Sequence, residues 1–115
     1  MDFLLDKRPW GEFKQFVHNK ECTVKIITVK QGGILSKQYH HHRDELWVIL
    51  DDGIIVEIDD ETMLAKKGDE FFIPKGTVHR VSSEKGGRFM EIAFGDFDEK
   101  DIVRLDDKYG RTGKS

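Results

Sequence analysis

A chain of 115 residues is long enough to bury one core and too short for two, so a single domain over 1–115 is expected. Its 19 basic and 22 acidic residues are spread along the whole length for a net charge of −3, which leaves no basic block for a nucleic-acid surface. One cysteine, Cys22, excludes an intramolecular disulfide, and no apolar run approaches the ~20 residues that cross a bilayer.

Residues 1–13 carry neither the basic start nor the continuous apolar stretch of a secretory leader, which points to the cytoplasm. Arg8 and Trp10 concentrate a cation and an aromatic near one end, as Arg104, Tyr109 and Arg111 do near the other. His18 stands in a polar turn open to solvent, and Cys22 begins an apolar-rich run as a small packing residue. From Glu21 onward, short runs rich in Val, Ile, Phe and Thr alternate with Gly, Asp, Lys and Pro, the mark of antiparallel sheet. Strands are expected at 13–17, 23–30, 35–40, 45–50, 54–58, 62–65, 70–73, 78–82, 89–94 and 102–105, with a helical turn as the alternative over 98–105. The connections at 31–33, 51–53, 66–69 and 85–87 each supply a glycine for a tight turn. Helical periodicity is nearly absent, and many short strands at even spacing read as an all-β sandwich or closed barrel.

The chemistry-bearing residues cluster in the middle of this pattern. Residues two apart on a strand share a face, so Gln38 and His40 point one way while Tyr39 and His41 point the other. A bend over 41–44 returns Glu45 to the same interior, where Trp47 and Ile49 continue an apolar wall. His79 follows the turn formed by Pro74, Lys75 and Gly76. An amide oxygen, two imidazoles and one carboxylate make a mixed nitrogen and oxygen set suited to Zn²⁺, Fe²⁺, Mn²⁺, Ni²⁺ or Co²⁺. With one charged ligand the site keeps the net positive charge of a Lewis acid. Two roles stay open: Gln38 as hydrogen-bonding support instead of a ligand, and His41 or His42 in place of His40 through a bulge.

The stretch from Gly68 through Pro74 and Gly76 to His79 resembles the second cupin motif, a glycine, five intervening residues and then Pro-x-Gly-x-x-His. The region from Gly33 to Gly53 resembles the first motif, with Gln38 where most cupins carry their first histidine. A Gln-x-His pair with a later Glu and His is similar to the zinc set of phosphomannose isomerases. Arg8 to Gly11, Gln38 to Trp47 and Asp101 to Arg111 look like signatures of one branch, the type II isomerase cupin at the end of bifunctional mannose-1-phosphate guanylyltransferases. The resemblance runs from about Lys7 to Arg111. Two departures lie outside the ligands: Asp52 stands where the first motif has its glycine, which follows as Gly53, and Ser83 replaces the asparagine that often ends the second. No nucleotidyltransferase domain or Gly-rich nucleotide loop is present, so guanylyl transfer is not expected of these residues.

The resemblance implies a double-stranded β-helix, the jelly-roll barrel of the cupins, paired as a homodimer through edge strands. It implies one divalent ion, zinc ahead of iron, manganese, nickel and cobalt, on Gln38, His40, Glu45 and His79. The implied activity is that of a metal-dependent aldose–ketose isomerase interconverting mannose 6-phosphate and fructose 6-phosphate, in which a base moves a proton between C2 and C1. Candidates for that base are Glu45 if it is not a ligand, hydroxide on the ion, and Lys37 with a depressed pKa; Arg104 joins them as a catalytic candidate. Arg8, Arg43, Arg104, Tyr109 and Arg111 are the substrate-binding candidates, because a guanidinium fork matches phosphate oxygens. Two rivals remain. One is a non-catalytic cupin that keeps the metal and binds a sugar phosphate or nucleotide sugar; the other is an Fe²⁺ dioxygenase, which an amide ligand disfavours.

Overall fold

The computed structural model describes residues 4–111 and the backbone of Gly113–Lys114. The described residues form strands β1 (Leu4–Arg8), β2 (Gly11–Gln15), β3 (Cys22–Val29), β4 (Gly33–Ile34), β5 (Lys37–Tyr39), β6 (Asp44–Ile49) and β7 (Ile54–Ile58). They continue with β8 (Glu61–Ala65), β9 (Glu70–Ile73), β10 (His79–Ser83), β11 (Gly87–Phe94), β12 (Val103–Asp106) and β13 (Gly113–Lys114). Among the described residues no helix is long and apolar enough to cross a membrane.

One sheet runs in the order β3-β11-β6-β9 and the other β13-β12-β5-β10-β7-β8, with β4 also on β10 and the β1-β2 hairpin standing apart. The alternation in sequence decides what lies between them. Along β6 and β11 the paired rows Glu45–Ala93, Trp47–Glu91 and Ile49–Phe89 face inward together, since cross-strand partners share a face. Val29, Trp47, Ile49, Ile73 and Phe89 of the first sheet meet Ile54, Val56, Ala65 and Val81 of the second in one core. Each large side chain moved from water into that core contributes on the order of 1.5–3 kcal/mol. The result is the double-stranded β-helix implied by the resemblance.

Most of the expected strands fall where the alternation puts them, and the differences are local; the two-residue β13 was not expected. The strand expected at 35–40 is confined to β5 at 37–39, with the short β4 before it; between them Ser36 is buried and its hydroxyl donates to Gln38 Oε1. β1 was not expected, because the run from Leu4 to Arg8 is solvent-facing along nearly its whole length and offers no alternation. The 98–105 segment resolves in favour of a strand, β12, which pairs with β5 and sets Arg104 opposite Gln38.

The two departures from the motifs are accommodated locally. Gly53 takes φ +95°, so the turn needs a glycine one position later than usual, and Asp52 Oδ1 accepts from Lys67 N at 2.7 Å. Ser83 Oγ donates to Gly53 O at 2.9 Å and accepts from Gly86 N at 3.0 Å, which closes the same end of the barrel.

Candidate metal centre

Two neighbouring segments and one that is distant in sequence meet at the other end. His40 lies just past β5, Glu45 is the second residue of β6, and His79 opens β10. Their ligand atoms lie within 4.8 Å of one another and all three residues are buried. The histidine rings are 5.1 Å apart between centroids, and Trp47 closes the wall with its ring centroid 5.3 Å from that of His79 and the two planes nearly perpendicular.

Tautomers follow from what surrounds each ring. His40 Nδ1 lies 2.6 Å from Asp101 O, and His79 Nδ1 lies 2.9 Å from Thr77 O. A carbonyl only accepts, so each Nδ1 is the donor and each Nε2 offers a lone pair to the centre. His79 Nε2 is buried and has no hydrogen-bond partner among the described residues. A buried lone pair left unmatched costs free energy, and a cation between the two Nε2 atoms and the Glu45 carboxylate would remove that cost. The residues present fit a divalent metal ion on His40, Glu45 and His79.

Glu45 is itself held from two sides. Arg43 Nε donates to its Oε2 at 2.8 Å and Trp47 Nε1 donates to its Oε1 at 3.0 Å. Arg43 Nη2 also lies 3.2 Å from His40 Nε2, and its guanidinium stacks 4.3 Å from the Phe97 ring centroid. From sequence Arg43 was only a charge flanking the site and a candidate for substrate; it is 7% exposed and committed to Glu45.

Beside the centre is a cavity of about 210 Å³ whose walls include Gln38, Arg43, Glu91, Arg104 and Arg111. Gln38 sits across from His79 in the β5–β10 register, and its Oε1 accepts from Ser36. Arg111 is paired with Asp107 at 2.8 Å, and Tyr109 lines a neighbouring cleft with Lys30. Two candidates do not join this cavity. Lys37 lines a separate cleft with Asp59 and Asp60, and Arg8 pairs with Asp6 at 2.9 Å on the β1-β2 hairpin. His41 and His42 are exposed, so of the three consecutive histidines only His40 reaches the interior.

Comparison with known proteins gives this arrangement a family. The family described as mannose-6-phosphate isomerase C-terminal matches residues 5–107. The chain belongs to this family. It is 38% identical over 112 residues to the alginate biosynthesis protein AlgA of Pseudomonas aeruginosa, covering 93% of the chain and 23% of AlgA. It is 41% identical over 109 residues to a mannose-1-phosphate guanylyltransferase of Klebsiella pneumoniae, covering 90% of the chain and 23% of that protein. The chain therefore spans about a quarter of these relatives' length. Solved structures share the fold. An RmlC-like cupin from Shewanella frigidimarina superposes with TM-score 0.63 at 16% identity, covering 84% of this chain and 87% of that one. The dTDP-6-deoxy-D-glucose-3,5-epimerase of Legionella pneumophila gives 0.67 at 11% identity, covering 90% and 69%.

In this chain, burial sets the protonation of the centre. It pushes His40 and His79 below the ordinary 6.5, and the attraction of Glu45 recovers only part of the shift. Burial also works to raise Glu45, but the neighbouring imidazoles and Arg43 hold its carboxyl below the ordinary 4.5. Glu91 goes the other way. Burial, the charge of Glu45 and a hydrogen bond to it lift its pKa to about 8. Sequence reading passed over Glu91, although its inward register between Phe89 and Ala93 marks an ionisable group on a core face.

These shifts give the metal-free protein two opposed pH slopes. Between their lowered folded values and 6.5, the unfolded chain binds more protons at His40 and His79, so stability rises with pH. Between 4.5 and about 8 the folded chain holds the extra proton at Glu91, so stability falls as pH rises. Glu91→Gln removes only the second slope. In chelator it should stabilise the protein at pH 7.5 by on the order of 1–3 kcal/mol and change little at pH 5. Urea unfolding at the two pH values checks this; equal gains at both would contradict it.

Proposed function

We propose that the chain is a metal-dependent aldose–ketose isomerase that interconverts mannose 6-phosphate and fructose 6-phosphate, with zinc as the first candidate for its ion. The observation that carries this reading is the pair of buried imidazoles, each fixed through Nδ1 to a backbone carbonyl and turning Nε2 toward the Glu45 carboxylate. The family match supports it, and guanylyl transfer by the longer relatives is not part of the proposal.

His40, Glu45 and His79 would hold the ion, and Gln38 stands beside them as a fourth candidate ligand or as a hydrogen-bonding support. A divalent ion supplies Lewis-acid polarisation of a sugar hydroxyl or carbonyl at such a site. The chain's own residues supply the rest. The Trp47 wall limits water around the reacting carbons. Arg43 keeps Glu45 ionised and oriented. Glu91, which lines the cavity outside the ligand set, is the carboxyl placed to pass a proton between C2 and C1. Arg104 and Arg111, at the same cavity, are the candidates to meet the phosphate.

Two further parts of the proposal concern context. The protein acts in the cytoplasm on a small sugar phosphate, without nucleic acid or membrane as partner. Two copies pair through edge strand β3, where Val24 and Ile26 are 55% and 60% exposed; sedimentation equilibrium distinguishes a mass of two chains from one.

A coupled assay tests the activity. Conversion of mannose 6-phosphate by the metal-loaded chain supports the isomerase. Saturable binding of sugar phosphate without turnover supports a non-catalytic binder instead, a reading favoured by the internal pairing of Arg111 with Asp107 and Lys25 with Glu99 around the cavity.

A further inference from the structure

The bend that carries His40 is held from outside by a residue 61 positions later. Asp101 O accepts from His40 Nδ1 at 2.6 Å, while its two carboxylate oxygens accept from the backbone amides of His41 at 2.8 Å and His42 at 3.0 Å. The next residue of the bend, Arg43, donates Nη1 to Asp98 O at 3.3 Å. Asp101 is thus bonded to three consecutive residues of the bend, and the adjoining turn continues the hold on the fourth. The 98–102 turn is stiffened by Asp101 N to Asp98 O at 3.0 Å and Ile102 N to Lys100 O at 2.9 Å, and Ile102 is buried.

A carboxylate is the group this geometry needs. Two parallel amide N–H groups require two acceptors on one short side chain, and asparagine offers one acceptor and one donor that would face an N–H. Burial works against ionisation here, but the two amides hold the Asp101 carboxyl below its ordinary range.

We propose that Asp101 is a positioning residue of the metal centre: its carboxylate clamps the 41–42 bend while its carbonyl fixes the tautomer and tilt of His40. This rests on the metal-binding reading of His40, Glu45 and His79 and assigns work to a residue that touches no ligand atom of the ion. Supporting groups that orient a metal-bound imidazole typically change metal affinity by about 10- to 100-fold.

The test uses the full chain, stripped with chelator and titrated with Zn²⁺ against a chelating dye, and with Co²⁺ for its visible spectrum. Asp101→Ala and Asp101→Asn are compared with the parent and with Ser83→Ala, which loses two hydrogen bonds at the opposite end of the barrel. The inference expects both Asp101 variants to weaken Zn²⁺ binding about 10- to 100-fold and to alter the Co²⁺ spectrum, while Ser83→Ala keeps the parent affinity and spectrum at a comparable loss of stability. Should Asp101→Ala fail to fold, the isosteric Asp101→Asn carries the comparison. Parent-like affinity and spectrum in Asp101→Asn, or an equal loss of affinity in Ser83→Ala, overturns the inference alone. A parent chain that binds neither ion overturns the metal reading and the inference together.

Discussion

Replacing His79 by alanine is expected to lower divalent-metal affinity by more than about 100-fold, beyond the range that removing a merely supporting residue produces. Its Nε2 carries a buried lone pair of the centre with no hydrogen-bond partner among the described residues, free to meet an ion. Mannose 6-phosphate conversion should fall below detection with it. The fold should survive. Truncation removes an unmatched polar atom together with the Nδ1 hydrogen bond to Thr77 O and the ring contacts to Trp47 and His40, so the gain offsets part of the loss. Titration of stripped protein, with circular dichroism as the folding control, reads both quantities. A folded His79→Ala chain that binds metal as the parent does would remove this residue from the site.

The second large effect concerns stability. Arg43→Met keeps the apolar stem but strands Glu45 in the interior without its guanidinium, at 1% exposure. Breaking a buried pair in this way costs about 3–5 kcal/mol. For a chain of this size that lowers the melting temperature of the metal-free protein by roughly 10–20 °C. Saturating divalent metal should shrink the deficit, because an ion on Glu45 supplies the positive charge that Arg43 supplied. Thermal unfolding with chelator and with metal makes the comparison; an equal deficit in both conditions would show that Glu45 does not carry the ion.

The strands were legible where one face is buried and the other wet. β7 and β9 have the expected ends, because Ile54–Ile58 and Glu70–Ile73 are bounded by turn residues on both sides. β1 was not legible, since a hairpin exposed along nearly its whole length leaves no pattern to read. His40 and Glu45 could be placed inside by strand parity and His79 by its motif. The same parity that turns Gln38 inward turns Lys37 outward, so its place in a separate cleft was available from the sequence. Other features depend on chain crossings that local pattern does not encode. Arg43 sits two residues from its partner Glu45, yet it is buried against Phe97 and Asp98 from the far end of the chain. Asp101 reaches His40 across 61 positions, and only the β5–β12 pairing brings the two together.

The most direct measurement is the metal content and affinity of untagged protein. Tagged protein would add histidines of its own, and His41 and His42 already offer exposed imidazoles, so the parent must be compared with a His41→Ala/His42→Ala chain. The account predicts one tightly held divalent ion per chain in both, lost from His79→Ala. Substoichiometric metal in the parent, or metal that disappears with His41 and His42 while surviving the loss of His79, would contradict it.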